Sequence, residues 1–194
     1  MGLTSFIKGP TIGGRELSAS KARQKAQQLL KEASIRTLPV PVEDLAHRLR
    51  ARLSYEPFGE DISGMLARVE GGAVIGINSA HNATRQRFSI AHELGHLVLH
   101  QGRSLILDKR EVRVNLRDRN SASGTDMEEI EANAFAAELL MPQRFVWDLV
   151  TRAVSRSSRP TADQFIRETA SRFQVSLQAM EYRLASLGVI SAGH

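Results

Sequence analysis

The chain contains no cysteine. That excludes disulfides and thiolate zinc sites, so any metal must be held by histidine, aspartate or glutamate. No apolar run approaches the ~20 residues of a membrane span. The stretch Met1 to Pro10 also lacks an apolar segment long enough for a secretory signal. Together with the absence of cysteine, this leads us to expect a cytoplasmic protein with no membrane partner. Aromatic residues make up only 5% of the chain, which argues against a platform on which nucleic-acid bases stack. What is present is ordinary for a globular protein: 194 residues, 42% hydrophobic and 24% charged, enough for a substantial core. The net charge of +5 is accounted for by a solvated basic surface, although such a field also helps to draw in a DNA-associated protein.

Periodicity along the chain predicts an α+β fold. Residues 1–17 lack a pattern and read as an irregular N-terminal arm. Ser18 or Ser20 then caps a helix through Ala22, Ala26, Leu29 and Leu30. After the extended Leu38-Pro39-Val40-Pro41, a short helix carries Val42, Leu45, Ala46 and Leu49 on one face. Three strands are expected at Arg52–Pro57, Ser63–Val69 and Ala73–Asn78, the last two joined by the turn Glu70-Gly71-Gly72. They should form a small, three-stranded, mainly antiparallel sheet packed on the next helix, for which Thr84 is the expected cap. Residues 101–124 read as a loop, charged at Asp108 to Glu111 and Arg117 to Asn120, and long enough to serve as a flap. The C-terminal half reads as helical. The organisation expected is a core over 18–154 and, after the linker Ser155 to Pro160, a helical tail over 155–194.

One segment carries most of the chemical information: Ser89-Ile90-Ala91-His92-Glu93-Leu94-Gly95-His96-Leu97-Val98-Leu99-His100. His92 and His96 are four apart, so on a helix both imidazoles lie on one face and can reach one metal ion. Glu93, one step round, can act on a water there as a base without being a ligand. The flanks Ile90, Ala91, Leu94, Leu97 and Val98 are apolar, so the helix is buried, and buried histidines must be paired or metal-bound. Gly95 is a poor helix former in mid-helix, which calls for close approach of another backbone.

A catalytic centre needs a third ligand. The acidic run Asp126-Met127-Glu128-Glu129-Ile130-Glu131 opens the next patterned helix, expected to start at Thr125 or Asp126. Thr125 and Glu128 fit a capping box, which gives Glu128 a structural task. Glu129 shares a face with Ala132, Asn133 and Ala136, whose small side chains let two helices approach, and Asn133 can hydrogen-bond a ligand from behind. Glu129 is favoured and Glu131 is the reserve.

The stretch Arg85-Gln86-Arg87-Phe88-Ser89-Ile90-Ala91-His92-Glu93-Leu94-Gly95-His96, followed by Glu129-Ile130-Glu131-Ala132-Asn133-Ala134-Phe135-Ala136-Ala137-Glu138-Leu139-Leu140-Met141-Pro142, resembles the ImmA/IrrE family of metallopeptidases. The likeness runs over about residues 20–190. It implies a zinc-dependent endopeptidase with His92, His96 and Glu129 as ligands of Zn²⁺ (Mn²⁺ being the alternative ion) and Glu93 as the catalytic base. It implies as substrate a helix-turn-helix transcriptional repressor, cut to relieve repression. The chain is expected to lack the additional sensor domain of the longer, damage-response branch.

Residues Ala170 to Leu184 have helix-turn-helix spacing, which keeps a DNA-binding regulator, or a non-catalytic interaction module, as the rival reading. Its recognition side chains, Gln178, Glu181 and Arg183, are sparse for reading bases, so direct DNA binding is disfavoured; were DNA used, Arg172 and Arg183 would touch phosphate. His100, Tyr55, Tyr182 and His81 are the residues able to donate to an oxyanion, and His100 also suits a helix end or a place behind a ligand.

Overall fold

The structure, a computed structural model, describes residues 14–59, 61–101, 105–109 and 119–191. Helix α1 (Gly14–Glu32) buries Ala19, Ala22, Ala26 and Leu30, a stripe at helical spacing made mostly of alanine. Such small side chains let it lie close along α4 (Arg119–Leu140). That contact carries the helix back through Leu17 to Gly14, into the stretch expected to be irregular; extending a helix already held by packing costs little. Residues 1–13 of the expected arm lie outside the described residues. Helix α2 (Val42–Arg48) starts after Pro41, as expected, and buries Val42, Leu45 and Ala46.

Strands β1 (Ala51–Glu56), β2 (Ile62–Val69) and β3 (Gly72–Asn78) fall where the alternation placed them. Gly71, at φ 78°, supplies the left-handed residue that the β2–β3 turn requires. The sheet nevertheless has four strands, in the order β1-β3-β2-β4. β4 (Leu105–Lys109) lies within the stretch expected to be a loop and pairs antiparallel with β2. Its Leu-Ile-Leu run completes what would otherwise be an open β2 edge. β2 and β3 are antiparallel, whereas β1 runs parallel to β3, Ala51 opposite Ala73 and Glu56 opposite Asn78. Residues 102–104 and 110–118 of the expected flap lie outside the described residues, and 119–124 belong to α4.

Helix α3 (Ala83–Leu99) is capped by Asn82, not Thr84: the Asn82 carboxamide oxygen accepts from Arg85 N at 2.9 Å, and the Thr84 hydroxyl donates to the same oxygen. α4 begins at Arg119, so Thr125 sits inside the helix and cannot serve as its cap. The helix start expected at Thr125, and with it the capping-box position of Glu128, is displaced to Arg119. Helices α5 (Gln143–Val154), α6 (Ala162–Phe173) and α7 (Leu177–Ser186) follow. Pro142 opens α5, a full capping box of Thr161 with Gln164 opens α6, and Ser176 caps α7.

The core joins the inner face of the sheet (Leu66, Ile75, Ile77) to Ile90 and Leu94 of α3 and to Phe135 and Leu139 of α4. Phe173, Met180 and Leu184 of the tail belong to the same cluster. Each such side chain contributes about 1.5–3 kcal/mol by leaving water. Among the described residues no helix is long and apolar enough to cross a membrane.

Candidate metal centre

His92 and His96 rise from the buried face of α3, and Glu129 meets them from α4. Gly95 makes the meeting close. A Cβ on it would stand 3.0 Å from Ala132 Cα and 3.1 Å from Ala132 O, so the α4 backbone occupies the space that a side chain would need. The mid-helix glycine and the alanine face of α4 are thus two halves of one contact.

The two Nε2 atoms lie 3.0 Å apart, and each is 3.2 Å from a Glu129 oxygen, His92 from Oε2 and His96 from Oε1. A tetrahedral ion with bonds of about 2.0–2.1 Å separates its ligand atoms by about 3.3 Å. The observed triangle therefore fits a divalent metal with little adjustment, and its donors, two imidazole nitrogens and a carboxylate, are a set that Zn²⁺ accepts. Glu129 is 38% exposed, toward a cleft, which leaves a side of the triangle open for a fourth ligand. Burial pushes the Glu129 carboxyl up, but its hydrogen bonds to His92 and His96, and the charge those rings carry when protonated, outweigh this and hold it far below the usual carboxylate range. Burial pushes His96 down, against the pull of Glu129 and with help from His92 and His100, so its neutral form, the one that binds metal, is favoured.

Behind the triangle, His92 Nδ1 donates to Asn133 Oδ1 at 3.1 Å, as the shared face of Glu129 and Asn133 led us to expect. His96 Nδ1 lies 3.0 Å from His100 Nδ1. His100 Nε2 lies 2.7 Å from Glu131 Oε2, and the other Glu131 oxygen accepts from the Ser18 hydroxyl of α1. Glu131, the reserve ligand, thus faces His100 instead of the triangle. Its carboxyl is pushed up by burial and pulled down further by these two hydrogen bonds, for a net lowering.

Glu93 is fully buried, with both carboxylate oxygens inside the protein. It lies against Gly64 of β2, where an added Cβ would come within 2.8 Å of Glu93 Oε1 and 3.3 Å of Cγ. Sequence reasoning did not single out Gly64, although an isolated glycine inside a strand does signal close approach. Arg68, also of β2, was missed without any such signal. Its guanidinium donates to His96 O at 2.9 Å and to His100 O at 2.5 Å, closing the carbonyl end of α3.

The cleft over the triangle has a volume of about 760 Å³. Phe88 and His92 of α3, Glu129 and Ala137 of α4, and Gln178 and Tyr182 of α7 are among its walls. Tyr182 is 69% exposed there. Tyr55 stands on β1, outside the cleft lining, with β3 between its strand and β2; His81 and His100 do not line the cleft either. The expected phosphate contact Arg183 is instead buried: it pairs with Glu138 and donates to Met141 O at 3.0 Å. Spacing alone could not show which α7 residues turn inward, because the tail joins the common core.

Residues 35–185 match the family model Peptidase_M78, described as the IrrE N-terminal-like domain. A solved structure of a Mycobacterium tuberculosis transcriptional regulator is similar in fold, with a TM-score of 0.55 at 17% identity. The match covers 86% of this chain but 46% of that protein, so this chain spans under half the other's length. No curated protein matches the chain.

Proposed function

The chain belongs to the Peptidase_M78 family of IrrE N-terminal-like domains, and on that premise we propose that it is a zinc-dependent endopeptidase whose substrate is a helix-turn-helix transcriptional repressor. The observation that carries the reading is the triangle of His92 Nε2, His96 Nε2 and Glu129, with its sides of 3.0 and 3.2 Å beside an open cleft. A zinc ion held by these three side chains supplies Lewis acidity toward a water and a peptide carbonyl. The remaining work falls to the chain's own groups. Asn133 orients the His92 ring. Glu93, next to His92 and backed by Gly64, accepts the proton of the attacking water on its carboxylate and returns it to the departing amine. The cleft orients an extended peptide, and Tyr182, on its wall, supplies a hydroxyl that donates to a developing oxyanion.

The repressor as substrate is supported by the family resemblance and by a cleft roomy enough for a peptide. Direct DNA reading is the weaker alternative. Gln178 and Tyr182 of α7 face the cleft and Arg183 is buried, so the helix that would enter a groove is committed elsewhere. The test is Glu93→Gln, incubated with a repressor encoded beside the chain's own gene. The amide keeps size and shape but takes no proton, so cleavage should fall by roughly 10²–10⁴-fold while zinc content stays at the wild-type level. Near wild-type cutting by this variant would remove Glu93 from the mechanism. Absence of cutting by the wild-type, zinc-loaded protein would remove the repressor.

A further inference from the structure

The two histidines of the triangle are supported unequally. His92 rests on a neutral carboxamide, Asn133. His96 rests on another imidazole, and that imidazole on a carboxylate. The direction of the protons along this second path follows from simple counting. His96 turns Nε2 toward His92 and Glu129, so that nitrogen must offer a lone pair if it is to hold a metal. A neutral imidazole has one N–H. The His96 proton is therefore on Nδ1, and it donates to His100 Nδ1 across 3.0 Å. His100 Nδ1 is then an acceptor, its own proton is on Nε2, and it donates to Glu131 Oε2 across 2.7 Å. Ser18 fixes the carboxylate from the far side. Each group in the path has one role left to it, and all the roles agree.

We propose that His100 and Glu131, anchored by Ser18, are positioning residues: a relay that holds His96 in its Nδ1–H tautomer, fixes its ring plane and makes its Nε2 the stronger metal donor of the two histidines. The inference rests on the metallopeptidase reading above. An anionic end polarises a hydrogen-bonded chain toward the metal side, which a neutral amide does far less. The relay also gives α1 a task. Its outer anchor, Ser18, lies outside residues 35–185, the part matched by the family model, so this support is added from beyond that region.

The test is zinc affinity of the full chain, measured by competition with a chromophoric chelator. His100→Phe keeps a ring in the space but offers His96 no acceptor; it should bind zinc roughly 10–100-fold more weakly. His100→Gln can accept with its amide oxygen and donate with its amide nitrogen, and should recover affinity to within about threefold of wild type, a rescue that mere space-filling does not predict. Glu131→Leu breaks the path at its outer link and should weaken binding by about tenfold, less than Glu129→Ala does. It also serves if the Phe variant fails to fold. Nitrogen-15 spectra of the zinc-loaded wild type should show His100 protonated on Nε2. Wild-type affinity in the Phe or Leu variant, equal losses in the Phe and Gln variants, or a His100 proton on Nδ1 would each overturn the relay. Failure of the wild type itself to bind zinc would overturn the metallopeptidase reading, so the two failures are distinguishable.

Discussion

Two glutamates of helix α4, Glu129 and Glu138, keep different company. At its middle Glu129 meets two imidazoles and an open cleft. Near its end Glu138 is closed in: it accepts from Gln27 Nε2 at 3.0 Å and from Gln143 N at 3.1 Å, and pairs with the buried Arg183. The same residue type on the same helix thus serves two ends. Glu138 meets a cation that does not give up its charge, so its contacts are saturated from within, and α1, α5 and α7 are tied to α4. Glu129 meets imidazoles, whose nitrogens offer lone pairs once deprotonated, and that geometry suits a cation from outside. The difference lies in the partner's proton, not in the carboxylate.

Substitutions at the two glutamates should therefore fail in opposite ways. Glu138→Ala leaves the Arg183 charge buried and unpaired, at a cost of about 3–5 kcal/mol, or a fall in Tm of roughly 6–20 °C for a chain of this size. Any folded fraction should still bind zinc. Glu129→Ala should leave the metal-free Tm within a few degrees, yet weaken zinc binding by more than the roughly 100-fold that an outer partner is worth. Calorimetry and metal titration on both variants decide the matter. A Tm loss confined to Glu129→Ala, or a metal loss confined to Glu138→Ala, would break the contrast.

A smaller effect sharpens it. Gly64→Ala presses a methyl group on the Glu93 carboxylate, the movable end of a side chain, so stability should change little. The base itself is displaced, and a shift of about 1 Å can cost 10²-fold in rate. The expected result is a lower kcat with zinc affinity unchanged; a variant as fast as wild type would show that Gly64 does not set the position of Glu93. The smallest effect expected is on the fold when the metal is removed. Chelation should abolish cleavage and leave the far-UV circular dichroism unaltered, because Ile75, Ile77, Leu94, Phe135 and Phe173 form a core without the ion. Global loss of helix on chelation would make the centre structural, and Glu129 as much a folding residue as Glu138.

Most of what was legible beforehand depends on neighbours in the chain. The strands β1 to β3 follow from alternation, and the start of α2 follows from Pro41. The errors arose where distant contact overrode local signals. α1 runs back to Gly14 because it packs on α4, and β4 forms because β2 has an edge to fill. Thr125 has the chemistry of a cap but lies inside a longer helix. Tyr55 and Tyr182 looked equivalent as donors, and only the placement of α7 on the cleft separates them.

The sequence by itself determined that two histidines share a helix face with a glutamate one step round, that no sulfur ligand is available, and that a glycine stands where that helix must be approached. These are consequences of a 3.6-residue period and of composition, which require no knowledge of where the chain goes next. Only the tertiary structure decided that Glu129 completes the triangle while Glu131 turns to His100, that Gly64 backs Glu93, and that Arg183 is locked to Glu138. Those choices depend on distances of about 3 Å between groups far apart in the chain, which are set when the helices pack and which no local pattern encodes.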